Sequence, residues 1–146
     1  MHPSLKESIN RQRTSLYNML VDPLSRAANN CVEIWGYREE LNDALAEALK
    51  GLPYGRYMYA MDINAMQLSD NVTHEGLETN DFHRNRSDRP YMKEISDKQN
   101  MILSEAYISL RANRPSITAI QKVIKDDQLI GYLGVDFDLR ALPLTR

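Results

Sequence analysis

Ser116 to Asp138 reads SITAIQKVIKDDQLIGYLGVDFD, and the fold turns on this stretch. Ser116–Lys125 and Leu129–Asp138 are both rich in β-branched and apolar residues, and Asp126-Asp127 between them is a turn pair. Successive side chains on a strand point to opposite faces. Ile117, Ala119, Gln121 and Val123 therefore share one face of the first run. Leu133, Val135 and Phe137 share one face of the second, while Tyr132, Gly134, Asp136 and Asp138 share the other. The second run carries two glycines and the longest apolar stretch, which places it at the centre of a sheet.

Three more strands are expected upstream: Arg56–Asn64 (RYMYAMDIN), Met66–Val72 (MQLSDNV) and Ile102–Ser109 (ILSEAYIS). The last of these follows a long loop and is expected at an edge. Thr73–Pro90 is polar, with no core-forming pattern, and Tyr91–Ser96 reads as a short helix. Ahead of the strands, Pro3–Val21 has apolar residues at helical spacing. Asp22-Pro23 is a cap followed by a first-turn proline, so the helix restarts or kinks there. A second helical piece carries Leu24, Ala27, Ala28, Cys31, Val32 and Trp35 up to Gly36. A third spans Tyr37–Lys50 and stops at Gly51 and Pro53. Helices first and hairpin-linked strands after describe an α+β domain, a five-stranded antiparallel sheet with helices packed on one side. One domain over residues 1–146 is expected, with 1–52 helical and 53–146 forming the sheet and its loop.

The chain is 42% hydrophobic and 26% charged, with a formal net charge of -2. That composition supports a packed core and excludes a disordered chain. Interspersed charge of both signs argues against a nucleic-acid binder or a polybasic membrane patch. Cys31 is the only cysteine, so no internal disulfide forms, and it reads as a small buried apolar residue. With no basic-apolar leader and no run of about 18 apolar residues, a stand-alone cytoplasmic protein is expected. A periplasmic placement is the alternative if the chain is a piece of a receptor.

No nucleophile elbow, phosphate loop, zinc-helix or dinucleotide motif is present, so neither enzymatic activity nor a cofactor is expected. His74 and His83 flank the polar loop with Glu75, Glu78 and Asp81, but their spacing matches no metal motif. Asn71-Val72-Thr73 has the form of a glycosylation sequon, a pattern that also arises by chance. Arg84, Arg86, Arg89 and Tyr91 cluster near the end of the loop. Arginine forks suit carboxylates and phosphates; pairing with Asp81, Asp88 or Glu94 is the plainer reading. Asp136 lies within the central strand and needs a partner. That partner is an internal arginine such as Arg89, the cation of a ligand, or a structural hydrogen bond. Gly134 on the same face leaves room for a close approach to the backbone.

In order and spacing, these segments resemble the Cache, or PDC, domains, sensor relatives of PAS domains. The resembling residues are Tyr59-Ala60-Met61-Asp62, Gln67-Leu68-Ser69-Asp70-Asn71, Arg86-Ser87-Asp88-Arg89-Pro90-Tyr91, Leu103-Ser104-Glu105-Ala106-Tyr107 and Gly131 through Leu139. The resemblance implies a PAS-like five-stranded sheet behind a long N-terminal helix, with a ligand pocket between sheet and loop. It implies ligand contacts at Arg89, Tyr91, Tyr107 and Asp136, with Arg86 a further candidate. The amino-acid-binding members carry tyrosine where this chain has Arg84, and Trp-Tyr where it has Tyr91-Met92. The implied ligand is therefore an organic acid or an amino-acid-like molecule. A separate output protein and a homodimer through the N-terminal helix are the implied partners. The alternative is a ligand-free interaction module whose pocket is filled by side chains such as Met58, Met61, Met66, Met92 and Met101.

Overall fold

The computed structural model describes residues 5–105, 107–108 and 115–141. Helix α1 spans Leu5–Cys31 and runs through Pro23 instead of restarting there. Leu16, Leu20, Leu24, Ala27, Ala28 and Cys31 form one buried stripe along it. Pro23 removes the bond to the carbonyl four residues earlier, at Met19. Met19 is exposed, so water can take that carbonyl, and packing of the stripe holds the helix together across the proline. A single 3-10 turn, Val32–Ile34, leads to Gly36, whose φ of 91° ends the helical path. Helix α2 then spans Arg38–Leu49.

The strands are β1 (Gly55–Asp62), β2 (Asn71–Thr73), β3 (Gly76–Glu78), β4 (Met101–Leu103), β5 (Tyr107–Ile108), β6 (Pro115–Lys125) and β7 (Gln128–Asp138). They form one antiparallel sheet in the order β3-β2-β1-β7-β6-β4, with β5 also paired to β6. The last strand is central, as expected, and β4 lies at an edge. Seven segments replace the five expected strands, and two hydroxyls account for part of the difference. Ser104 Oγ accepts the Thr118 N–H at 2.9 Å, a bond that a backbone carbonyl would otherwise take. The expected third strand is thus split into β4 and β5. Ser69 Oγ accepts the Ala60 N–H at 2.9 Å. The expected second strand therefore keeps only isolated bridges at Met66 and Gln67 before β2 begins. The β2–β3 hairpin lies in what reads as loop, because three-residue strands carry no period.

Each face of the sheet packs its own core. On one, Met58, Ala60, Ile117, Ala119, Val123, Leu133, Val135 and Phe137 meet the leucines of α1 and α2. On the other, Tyr57, Tyr59, Met61, Ile102, Ile120 and Tyr132 meet Tyr91 and Ala65 from the long connection. The expected face assignments for β6 and β7 hold. Cys31 is buried, and burial pushes its thiol up to about 11, which leaves it an apolar filler at neutral pH. Among the described residues no helix is long and apolar enough to cross a membrane.

Candidate functional site

The loop-covered face is organised by Tyr59 on β1. Its register partner on β7 is Gly134. A Cβ on Gly134 would lie 2.3 Å from Tyr59 Cε2, so only glycine lets the ring lie flat on the strand. The ring's hydroxyl donates to Asp136 Oδ1 at 2.8 Å. Thr118, directly opposite Asp136 on β6, donates to the same oxygen at 2.7 Å. Asp136 retains 7% of its surface exposed. Its other oxygen, Oδ2, accepts no hydrogen bond from the described residues.

The Arg86 guanidinium stacks on the Tyr59 ring, 3.8 Å from the centroid. Its Nε donates to Gln67 Oε1 at 2.8 Å, Nη1 to Tyr91 Oη at 2.9 Å and Nη2 to Asn71 Oδ1 at 3.2 Å. Asp81 lies 3.8 Å from Nη2. Burial opposes this charge. The nearby Tyr59, Tyr91 and Asp136 outweigh burial and hold the guanidinium above its ordinary pKa. Arg86, only 4% exposed, thus ties the connection from Ala65 to Tyr91 onto the sheet. Backbone bonds support the same fold-back: Gln67 N–H donates to Arg84 O, and Arg86 N–H to Ala65 O, each at 2.9 Å.

The site residues expected from sequence fall into distinct places. Arg86, Tyr91 and Asp136 converge around Tyr59. Arg86 is the hub of that cluster although it read as the weaker arginine. Arg89 is half-buried at the head of a 3-10 helix, Pro90–Glu94, with its N–H donating to Arg86 O at 3.0 Å. The hydrogen bonds to Asp136 come from Tyr59 and Thr118, not from Arg89. Tyr107 lies on β5 opposite Ser116, and its side chain is outside the described residues. Arg84 follows the plainer reading and pairs with Asp81 at 3.2 Å. The residues missed were Tyr59, Gln67 and Thr118. Tyr59 and Thr118 could have been found by setting the tyrosine-rich strand and Ser116–Lys125 on either side of the Gly134–Asp136 stretch.

A cleft of about 590 Å³ is lined by Tyr54, Arg56, Tyr57, His74, Glu78 and Asp138 among others, and none of its lining residues is Tyr59, Arg86, Tyr91 or Asp136. Tyr57 joins the two regions: it lines the cleft and is the register partner of Asp136 on β1. Among the described residues no group of three or more His, Cys, Asp or Glu is placed to hold a metal. Asn71, in the sequon, is buried with its amide bonded to Gln67, Arg86 and Asp81, so it offers no acceptor for a glycan.

No protein-family model matches the chain, and no curated protein matches it in sequence. Solved structures do. An extracellular ligand-binding receptor from Desulfohalobium retbaense superimposes with a TM-score of 0.71 at 13% identity, over 88% of this chain and 24% of that one. The ligand-binding domain of the Pseudomonas fluorescens chemoreceptor CtaA, in complex with L-alanine, gives 0.65 at 20% identity, over 92% and 56%. The sensory domain of the Campylobacter jejuni chemoreceptor Tlp3, with isoleucine bound, gives 0.59 at 14% identity, over 90% and 57%. The fold is of the Cache, or PDC, type. This chain spans less than two thirds of each of these three structures, and the likeness extends to nearly all of its own length.

Proposed function

We propose that this Cache-type domain is a small-molecule sensor whose ligand lies between β7 and the long connection. The observation that carries the reading is Asp136. It is a carboxylate on the central strand, nearly buried, with one oxygen that accepts no hydrogen bond from the described residues, and its register partner Tyr57 lines a cleft. A buried charge with spare acceptor capacity suits a ligand that brings a cation or an N–H donor. Arg89, Tyr91 and Tyr107 are proposed to hold the ligand's carboxylate end. Arg86 has its donors committed to Gln67, Tyr91 and Asn71 and acts by positioning the loop. CtaA and Tlp3 with amino acids bound support a small zwitterion or organic acid as the ligand class. Signal passing to a separate output protein, and no catalysis by this domain, complete the proposal.

The Desulfohalobium receptor is described as extracellular, which favours the periplasmic placement over the cytoplasmic one. Pairing of two copies through α1 is part of the same reading, supported by exposed Met19 and Val21 on that helix; light scattering of the purified protein reads it directly. The tight packing of Tyr59, Met61, Tyr91 and Tyr132 favours a second reading, an interaction module with a filled pocket. A thermal-shift screen against amino acids, organic acids and polyamines separates the two. A ligand that binds only the folded state raises the melting temperature. The sensor reading expects a rise that is lost in Arg89→Ala. No shift across the panel supports the filled-pocket module.

A further inference from the structure

We infer that the cleft between the β2–β3 hairpin and the start of β1 is a second ligand site, and that it takes a primary amine carried on an apolar body, held through Glu78. The inference does not rest on the sensor reading, since neither Asp136 nor Arg86 nor Tyr91 lines this cleft. The sheet itself opens the space. β2 pairs with β1 at Met58 and Val72, and from Thr73 onwards the hairpin parts from β1. On the other side of β1, Gly55 and Tyr57 stand opposite Phe137 and Asp136, which leaves Arg56 as the extra residue of a bulge. A bulge bends its strand and re-aims a side chain. The resulting cleft of about 590 Å³ falls within the roughly 300–1,000 Å³ usual for small-molecule pockets. Alternation along the strands sets its floor. Met58 and Val72 belong to the helix-side core, so Tyr57, and Glu78 opposite Asn71, turn to the other face with Asp138.

Two features of the lining call for a ligand. The first is polar. Glu78 Oε2 is shut off from solvent, yet it accepts no hydrogen bond from the described residues. Arg56, the guanidinium in the cleft, is turned elsewhere: it lies 5.4 Å from the Tyr57 ring centroid, with Nη1 3.8 Å from Asp138 Oδ2. A buried carboxylate oxygen without a donor is costly, and a charged N–H group suits it best. The second feature is apolar. Tyr54 and Leu77 are 37% and 49% exposed, large hydrophobic side chains that the sheet leaves uncovered, and both line the cleft. Formal charge selects the sign of the ligand: with His74 counted as neutral, Glu75, Glu78 and Asp138 face one guanidinium. An anion is repelled, and a neutral hydrocarbon leaves Oε2 unpaired. An ammonium on an apolar body answers both features.

Amide NMR titration with 2-phenylethylamine, 2-phenylethanol and 3-phenylpropionate tests this, since the three share an aryl body and differ in charge. The amine is expected to bind roughly tenfold tighter than the alcohol or more, the worth of one charge-assisted hydrogen bond, and the carboxylate to bind weakest. The amides that move are expected at Arg56–Tyr57 and His74–Glu78. Glu78→Gln keeps the side-chain shape and removes the charge, and it is expected to bring amine and alcohol within about threefold of each other. No binding of the amine, an amine no tighter than the alcohol, a preference that survives Glu78→Gln, or shifts centred on Gly134–Asp136 overturns the inference. None of these outcomes removes the sensor reading, which fails separately on a flat thermal-shift panel. Should Glu78→Gln fail to fold, the wild-type order of the three probes and the position of the moving amides decide.

Discussion

A methyl group at position 134 would stand 2.3 Å from Tyr59 Cε2 and 2.9 Å from its hydroxyl oxygen. The ring has nowhere to retreat, since Arg86 covers its other side. Gly134→Ala is therefore expected to lift the ring, break the bond to Asp136 and cost about 1–3 kcal/mol, as overpacking in a tight core does. Arg86→Met is expected to cost about 3 kcal/mol or more, because it strands the buried partners Gln67, Asn71 and Tyr91. Urea unfolding reads both; losses below about 0.5 kcal/mol would show that this cluster does not hold the face together. At this scale the sequence was only partly legible. Asp136 and Gly134 stood out because a charge and a glycine within a central strand each need a reason. Arg86 could not be ranked above Arg89, because which arginine turns inward depends on bonds such as Arg86 N–H to Ala65 O, and these form only when the loop folds back.

The elements follow the hydrophobic pattern where runs are long and depart from it where side chains take over backbone bonds. β6 and β7 were legible because eleven-residue strands with clear alternation leave little choice of register. The splits at Ser69 and Ser104 were not, since a hydroxyl that replaces a carbonyl leaves no periodic trace. The long connection is also clamped from the helical side. Arg38 on α2 grips Asp70 through two hydrogen bonds at 2.6 and 3.1 Å, and Asn42 adds a third at 2.8 Å. Burial would push the Asp70 carboxyl up; the Arg38 and Asn42 bonds outweigh it and hold the carboxyl below its usual 3.8. A depressed folded value means the clamp is fully stabilising above about pH 4 and is lost as pH falls through that lower value. The stability difference between wild type and Asp70→Asn is expected to be widest near pH 6 and to narrow below about pH 4. A difference that stays constant from pH 6 to pH 3 would show that the clamp does not titrate this way.

Across the whole molecule, the sheet separates two kinds of interior. The helix side is almost wholly aliphatic and serves stability. The loop side gathers four tyrosines, a buried arginine and Asp136, polar groups that a domain built for stability alone would have little use for. The α+β class, the central last strand and the division of faces could all be read from hydrophobic period. The site's depth could not, because it depends on how residues 65–91 fold against the sheet. The central claim is that a small molecule binds where that connection meets β7. Amide hydrogen exchange, measured with and without the strongest stabiliser from the thermal-shift screen, tests this most directly. The account predicts new protection confined to Asn85–Glu94 and to the β7 amides around Gly134–Asp136. Protection elsewhere, with these amides unchanged, would contradict it.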